Sequence, residues 1–122
     1  LSLFQTRDGY VWLGTRQGLL RFDGVKFTTF SRGNTPAVPE NEIHGLAEDT
    51  EGTLWINGQA TYLTTLHAGE FREVTTVEGK PVRGVLRGPS PRGGMWVSLE
   101  EGPHLTRWEH GTPHERWPLE VG

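Results

Sequence analysis

The chain has 122 residues and a net charge of −3, with 12 basic residues against 15 acidic ones. Phosphate binding needs clustered cations, and the cations here are scattered among acids, so the charge argues against a nucleic-acid groove. The absence of cysteine excludes disulfides, thiolate metal sites and a cysteine nucleophile, and it fits either a periplasmic or a cytosolic protein. No apolar run approaches the roughly 18 residues of a membrane span, so no direct membrane insertion is predicted.

Three tryptophans divide the chain into similar parts. Trp12, Trp55 and Trp96 recur at spacings of 43 and 41 residues, and an aliphatic residue follows each one directly. A glycine stands two or three residues before each tryptophan, at Gly9, Gly52 and Gly94. A repeat of about 40 to 45 residues holding four short strands is the length of one β-propeller blade, whereas helical repeats show a 3.6-residue period that is absent here.

The predicted strands follow this register in chain order. The first repeat holds strands at 1–5, 10–15, 19–22 and 25–30, the second at 43–48, 53–57, 62–67 and 70–74, and the third at 82–87, 94–98, 104–108 and 113–117. A dipeptide ending in glycine marks the last hairpin of each repeat, at Asp23-Gly24, Ala68-Gly69 and His110-Gly111, and each predicts a two-residue turn with positive φ. No window shows an apolar stripe at helical spacing, so no helix is predicted.

The predicted fold is therefore all-β, with three four-stranded antiparallel sheets as propeller blades. Blade 1 spans 1–31, blade 2 with its preceding loop spans 32–76, and blade 3 with its preceding loop spans 77–122, as one propeller fragment and not three independent domains. Propellers have about four to eight blades, so three blades leave an incomplete ring with apolar faces open on blades 1 and 3. Either further blades of a parent chain or other copies of this chain must complete it. A dimer would supply six blades through a head-to-tail contact.

The first repeat also resembles a known family. Residues 5–15, QTRDGYVWLGT, followed by 18–27, GLLRFDGVKF, are similar to the two-component regulator propeller repeat. Residues 46–56 of the second repeat resemble it too, with departures at Asn57, Ala60 and Thr61, where the family usually has glycine, glycine and leucine. The third repeat keeps only residues 94–97 and Gly102, so its membership rests mainly on spacing.

The resemblance implies a sensor region. Members of this family are typically the N-terminal, periplasmic part of bacterial hybrid histidine kinases, diguanylate cyclases and related regulators, followed by a small β-sandwich, a membrane helix and a cytoplasmic output domain. No signal peptide precedes Leu1, and the chain begins on a predicted strand without an initiator methionine. We therefore expect an excised, processed or partial piece of a longer regulator.

The expected ligand site lies on the loops. The loops after the second strand and those between blades share one end of a propeller, and here they carry arginine, amides and acids: Arg16, Gln17, Asn34, Gln59, Glu100 and Glu101. Such a mixture suits a small molecule or an oligosaccharide rich in hydroxyls, and it equally suits plain solvation. Two functions stay open, a ligand-sensing module and a structural or protein-interaction scaffold.

Other candidates are interpreted as structural. The three repeat tryptophans are predicted to pack between blades, while Trp108 and Trp117, outside the repeat, are alternative ligand candidates for which packing is also favoured. His104, His110 and His114 fall on a strand, its turn and the next strand, so no metal site is predicted. Paired carboxylates are used for catalysis in glycosidase propellers, and the acids that could supply them here are Glu40, Glu42, Glu48, Glu51, Glu100 and Glu101. Glu100 and Glu101 are adjacent on a strand and point to opposite faces, so they do not suit a catalytic pair. Neither catalysis nor a cofactor is predicted.

Overall fold

Twelve β-strands form the computed structural model, which describes residues 2–38, 42–102 and 104–119. The strands are β1 Ser2–Gln5, β2 Val11–Thr15, β3 Gly18–Phe22, β4 Phe27–Phe30, β5 Ile43–Glu48, β6 Leu54–Gly58, β7 Leu63–His67, β8 Glu70–Glu73, β9 Gly84–Pro89, β10 Met95–Leu99, β11 His104–Glu109 and β12 Thr112–Pro118. Every predicted strand is present, with bounds shifted by two residues at most. The expected first strand residue, Leu1, and the acid Glu40 lie outside the described residues.

The strands pair in chain order into three antiparallel sheets, β1 to β4, β5 to β8 and β9 to β12. The first strand of each sheet is the innermost, since β5 contacts both β1 and β9. This arrangement confirms the prediction of three four-stranded propeller blades, including the third, whose sequence is the most degenerate. The described sheets do not close into a ring.

Blades 1 and 2 pack through the face of blade 1 that carries Trp12. Residues opposite one another in antiparallel strands lie on the same face, so Phe4 and Arg21 flank Trp12 there. Blade 2 contributes the two residues beside its own tryptophan, Leu54 and Ile56. The buried core of this junction consists of Trp12, Leu19, Val38, Ile43, Leu54 and Ile56.

Blades 2 and 3 pack through the opposite face of blade 2. Trp55 lies between Leu54 and Ile56 in sequence, so its side chain points to the other side of the sheet, where it is fully buried. The core of this junction consists of Trp55, Leu63, Val74, Val82, Met95, Val97 and Trp108. Blade 2 is therefore covered on both faces. Trp108, which lies outside the repeat, belongs to this core with an exposed fraction of 4%, as its predicted packing role requires.

The two outer faces of the arc are uncovered by any described sheet. The blade 1 open face carries Leu3, Val11, Leu13, Leu20, Phe22 and Phe27, none of which is buried. The blade 3 open face carries Val85, Trp96, Leu105 and Trp117. Trp96 is only half-buried there, although it occupies the same repeat position as Trp12 and Trp55.

The two junctions differ where the second strand of one blade meets the first strand of the next. In the first, Gly14 lies against Ile43, and a Cβ at position 14 would sit 2.6 Å from Ile43 Cγ2. In the second, the Asn57 side chain donates through Nδ2 to the carbonyl of Gly84 over 3.0 Å and to that of Tyr62 over 3.3 Å. The first contact is apolar and the second is a buried hydrogen bond.

The hairpin turns correct one prediction. Ala68-Gly69 and His110-Gly111 are two-residue turns with positive φ at both positions. Asp23-Gly24, which has the strongest sequence signal for such a turn, instead opens a four-residue loop, because Phe22 pairs with Phe27. The Asp23 carboxylate accepts hydrogen bonds from the backbone N–H of Val25 and of Lys26, at 2.8 and 2.9 Å, and this stabilises the longer loop.

Helical structure is limited to one 3-10 turn at Gln59–Thr61 in the described part of the chain. None of the described segments is a helix long and apolar enough to cross a membrane. The connection between blades 2 and 3 contains two isolated bridges: Thr75 pairs with Pro81 within the connection, and Arg83 pairs with Tyr62 of blade 2.

Candidate ligand-binding rim

All six predicted binding residues lie at one end of the sheets. Successive strands alternate in direction, so the connections after β2, β6 and β10 share an end with the connections between blades. We call this end the upper rim; it comprises residues 16–17, 31–38, 59–62, 75–83 and 100–101. The opposite end, with turns at 6–10, 23–26, 49–53, 68–69, 90–94 and 110–111, is the lower rim.

The three predicted residues of blade 1 do not converge on a common site. The Asn34 Oδ1 accepts hydrogen bonds from the N–H of Ser31 and the hydroxyl of Thr35, both at 2.9 Å, and its Nδ2 donates to the carbonyl of Thr29. Asn34 therefore holds its own loop. Arg16 is exposed and lies 3.9 Å from a carboxylate oxygen of Glu42.

Arg83 joins blades 2 and 3 on the upper rim through contacts with Ala60 and Glu100, which we call the Arg83 lock. Its Nε donates to the carbonyl of Ala60 over 2.8 Å, and its Nη2 donates to Glu100 Oε1 over 3.1 Å. The hydroxyl of Thr61 also donates to Glu100. The guanidinium lies 5.3 Å from the centre of the Tyr62 ring. Of the predicted residues, Glu100 takes part in these contacts, and Gln59 directly precedes Ala60 in the chain.

The backbone of this lock is strained. Ala60 has φ of 58° and Thr61 has φ of 64°, the left-handed region that a β-branched residue rarely adopts. Such conformations cost on the order of 1 to 3 kcal/mol each and persist where the surroundings hold them. Here the Arg83 and Glu100 contacts hold them. These are two of the positions at which the second repeat departs from the family pattern.

Two cavities border the 59–62 turn, and a third lies beyond Arg83. The Tyr62 cavity, of about 430 Å³, lies between the blade 1 to blade 2 connection and blade 2, and its polar lining comprises Arg32, Gln59, Tyr62, Thr64 and Glu73. The Glu100 cavity, of about 820 Å³, lies between the 75–83 connection and blade 3 and includes Glu100 and Glu101. The His44 cavity, of about 530 Å³, lies between the inner strands β5 and β9. Volumes of about 300 to 1,000 Å³ are typical of small-molecule sites.

The lower rim carries a second set of contacts between blades. The N–H of Arg7 donates to Glu48 Oε1, and its Nη2 donates to the carbonyl of Asp49 over 2.8 Å. Glu51 Oε1 accepts from the N–H of Gly94 over 2.8 Å. The Thr50 hydroxyl, and after it this N–H, lower the pKa of the Glu51 carboxyl. These hydrogen bonds hold neighbouring blades together, so we assign the residues that make them a structural role.

A family model describing the two component regulator propeller matches residues 37–59. These residues contain the end of the first connection, β5 and β6, with Trp55 at the centre of the second blade. The segment is a regulator propeller repeat. In the comparisons with curated proteins and with solved structures, no match was found.

The match lies on the second repeat, although the longest sequence resemblance is in the first. The matched regulator propeller repeat contains Asn57 and ends at Gln59, directly before the strained pair. It therefore includes one of the predicted rim residues and borders the Arg83 lock. Its first part supplies Ala37, whose carbonyl accepts a hydrogen bond of 2.6 Å from Thr64.

Sequence reasoning missed Tyr62 and Arg83, which shape the upper rim most strongly. Tyr62 follows the departure from the repeat pattern at positions 60 and 61, and this departure was the available signal. Arg83 comes from the next blade, and no spacing rule relates it to position 62. Glu101 lines the Glu100 cavity, while Gln17 is exposed in the turn between β2 and β3.

His114 lines the Glu100 cavity, whereas His104, His110 and Trp117 line none of the three cavities. The His110 ring packs edge-on against His67 at 5.6 Å, His114 lies 3.6 Å from Glu109, and His104 lies 3.2 Å from Arg116. Across the described ranges, no group of three or more metal-ligating side chains converges. Trp117 is 58% exposed on the blade 3 open face, away from the cavities of the upper rim.

Proposed function

We propose that this chain is the ligand-sensing propeller segment of a bacterial signal-transduction regulator. In this proposal, the Tyr62 cavity binds a small molecule or oligosaccharide, and a separate output domain receives the signal. The observation that carries the proposal is the placement of a cavity of about 430 Å³ beside the lock between two blades of a regulator propeller. Its aromatic ring, guanidinium, amide and carboxylate suit a ligand rich in hydroxyl groups.

The relay would act through Tyr62. This residue lines the cavity and lies under the Arg83 guanidinium, which in turn contacts Ala60 in blade 2 and Glu100 in blade 3. A ligand that displaces the Tyr62 ring would shift these contacts, and the strained backbone at Ala60 and Thr61 provides an alternative conformation of lower local energy. The angle between blades 2 and 3 would then change.

The remaining features of the proposal follow from the family. The similarity to the two component regulator propeller family favours a non-catalytic role for this chain. The resemblance of the repeats to sensor propellers supports a periplasmic location, where such segments meet nutrients before an output domain responds. Scattered positive charge leaves the upper rim unsuited to nucleic acid.

A panel of neutral and acidic oligosaccharides, followed by calorimetry on any that bind, tests the proposal. We expect Tyr62→Ala to weaken binding by at least tenfold and Arg32→Ala to weaken it less, because the ring gives stacking area and the arginine is exposed. Lys26→Ala, an exposed change on the lower rim, is the matched control and should bind as the unaltered chain does. Binding that survives Tyr62→Ala would place the ligand elsewhere.

The second candidate function is a structural or protein-interaction scaffold without a small ligand. It is favoured by Asn34 and Arg16, whose polar groups are engaged with their own loop and with Glu42 and do not point to a shared site. In that case no member of the panel binds.

A further inference from the structure

The Tyr62 cavity and the Glu100 cavity occupy equivalent places in blades 2 and 3. Each lies between the connection that precedes its blade, the turn after the second strand and the two outer strands of the blade. Each contains a buried threonine of the third strand, Thr64 in blade 2 and Thr106 in blade 3, which directly precedes the residue paired with the repeat tryptophan. The repeat therefore builds the same kind of cavity twice, in each case on the side that faces the preceding blade.

The two cavities carry opposite charges on their outer strands. Glu73 on β8 pairs with Thr64, and Arg116 on β12 pairs with Thr106. The two charged residues therefore hold the same position in their blades, and each lies on the face of its threonine. A carboxylate in the first cavity is replaced by a guanidinium in the second, so the two cavities should select ligands of different charge.

Two cations of the Glu100 cavity have no acidic partner among the described residues. Lys80, on the connection between blades 2 and 3, makes no ion pair or side-chain hydrogen bond there. Arg116 contacts the imidazole of His104, with its Nη2 3.2 Å from Nδ1, and forms no ion pair in the same ranges. Both side chains are exposed. Each is therefore available to a bound anion without the loss of an existing ion pair.

The acidic residues of the Glu100 cavity leave only one carboxylate to oppose these cations. Glu100 is held in the Arg83 lock. Glu115 pairs with Arg107 across the sheet, so its side chain lies on the blade 3 open face and contacts that guanidinium instead of the cavity. Glu101 is exposed and is the acid that remains. Two free cations against one free carboxylate leave the cavity with a positive charge of about one, which matches a monoanion.

Apolar side chains form much of the remaining wall of the Glu100 cavity. Val77 and Pro81 come from the connection, Leu99 from the end of β10 and Pro113 from β12. Val77 is fully exposed, and both prolines are exposed as well. Ligand sites typically combine apolar walls with a few polar groups that fix the orientation of the ligand. This lining suits a molecule with an apolar body and one anionic end.

We propose that the Glu100 cavity is a second binding site, selective for an organic carboxylate with an apolar body, and that Lys80 and Arg116 hold the carboxylate. The guanidinium of Arg116 offers a planar pair of donors that matches a carboxylate, and Lys80 adds a point charge. This inference does not rest on the proposed function, because neither cation lines the Tyr62 cavity.

The test compares carboxylic acids with their amides. Benzoate, 4-phenylbutyrate and octanoate are monoanions with apolar bodies of different shape, and the corresponding amides keep the body and lose the charge. Each is titrated into the full chain while the indole N–H signal of Trp108 is followed by NMR, because Trp108 lines the cavity and its Nε1 donates to Thr106 over 2.7 Å. The indole N–H of Trp12, buried in the first junction, is the internal control.

We expect at least one acid to shift the Trp108 signal, to leave the Trp12 signal in place and to bind about tenfold or more tightly than its amide, because a hydrogen bond to a charged group is worth about 1.5 to 3 kcal/mol. If none of the acids shifts the Trp108 signal, or if each acid binds no better than its amide, the proposal is wrong.

Charge variants locate the carboxylate. Lys80→Gln and Arg116→Gln should each weaken acid binding by about tenfold and leave amide binding unchanged, whereas Glu101→Gln should strengthen acid binding by removing the opposing charge. Lys26→Gln, an exposed change on the lower rim, is the matched control and should bind the acid as the unaltered chain does. Acid binding that is unchanged in both Lys80→Gln and Arg116→Gln would overturn the proposal.

The same variants separate this site from the Tyr62 cavity. Any oligosaccharide that binds in the Tyr62 cavity should bind Lys80→Gln and Arg116→Gln as it binds the unaltered chain, since neither residue lines that cavity. Failure of the oligosaccharide panel would therefore count against the proposed function alone, and failure of the acids would count against the second site alone.

Discussion

The two junctions between blades differ in which side contributes the larger residue at the same pair of positions. In the first, Gly14 from the earlier blade meets Ile43 from the later one. In the second, Asn57 from the earlier blade meets Gly84 from the later one. Gly14 and Asn57 both lie two residues after a repeat tryptophan, and Ile43 and Gly84 both begin the innermost strand of their blade. Asn57 therefore replaces an apolar contact with a polar one, while the glycine at position 84 is required by its own blade, because a Cβ there would lie 2.6 Å from Val97 Cγ1 and 2.7 Å from the Ser98 carbonyl oxygen.

The largest loss of stability should come from replacing Trp55, the repeat tryptophan that is buried in the second junction. Trp55→Ala should lower the free energy of unfolding by about 3 to 5 kcal/mol, because the ring is fully buried and its Nε1 donates to Asp49 over 2.9 Å. Urea unfolding measures the loss. Trp96→Ala is the matched change at the equivalent position on the blade 3 open face and should cost about 1 to 2 kcal/mol, because that ring is only half-buried. Equal losses would show that burial does not distinguish the two.

The apolar junction can be overfilled. Gly14→Ala places a Cβ 2.6 Å from Ile43 Cγ2 and 3.2 Å from the Ile43 carbonyl, so it should destabilise the chain by about 1 to 3 kcal/mol. Gly45→Ala is the control, because its Cβ would meet Asn57 at an ordinary 3.5 Å. Combining Gly14→Ala with Ile43→Ala, which removes the clashing Cγ2, should cost less than the sum of the two single changes. A Gly14→Ala chain as stable as the control would mean that the blades can separate at no cost.

The buried hydrogen bond of the second junction can be removed by replacing Asn57. Asn57→Ala removes the donor to the Gly84 carbonyl and should cost about 1 to 2 kcal/mol, because this buried acceptor loses its partner, whereas the Tyr62 carbonyl still accepts from the N–H of Gly58. Thermal unfolding followed by circular dichroism gives the difference. Asn57→Gly restores the residue type of the first junction without its isoleucine partner and should be no more stable than Asn57→Ala. Recovery by Asn57→Gly would contradict the exchange of large and small residues.

The smallest effect is a pH dependence at the lower rim of the second junction. The pKa of Glu51 is lowered in the fold, first by the Thr50 hydroxyl and then by the N–H of Gly94. The ionised carboxylate therefore adds stability above the unfolded pKa, and this contribution is lost as pH falls below about 4.5 through the lowered folded value. Glu51→Gln should lower stability at pH 7 and converge with the unaltered chain at low pH. Thr50→Ala should reproduce part of the difference. A Glu51→Gln deficit that is constant with pH would contradict this account.

The tryptophan period was enough to predict twelve strands and three sheets, because each strand is set by local alternation and each hairpin by its own turn. What the period could not predict is which residues of neighbouring blades meet. Trp108 lies outside the repeat and is nonetheless buried beside Trp55, since the blade 2 to blade 3 core draws on a strand that the motif does not mark. Asp23-Gly24 failed as a two-residue turn because a side chain competed for the backbone N–H groups.

The sequence is enough to predict that the candidate residues lie at one end of the sheets, but it is not enough to predict which of them form a pocket. Strand alternation places Arg16, Gln59 and Glu100 at one end of the sheets, as chain direction requires. Whether these side chains converge depends on Arg83 and Tyr62, which come from different blades. Asn34 carries the right chemistry for a ligand, yet its amide stabilises its own loop. A single sequence does not distinguish these two uses of an exposed amide.

The sequence of the outer strand β12 disfavours the addition of a further strand at its edge. A sheet edge offers unpaired backbone groups to any other strand, and β12 is seven residues long. Pro113 and Pro118 lack an N–H donor, and Glu115 and Arg116 place charge between them. Sideways addition of a foreign strand is therefore disfavoured at the periphery, while the apolar surfaces stay confined to the flat sides of the blades. The chain thus restricts cross-β polymerisation at its edge without weakening face-to-face contact.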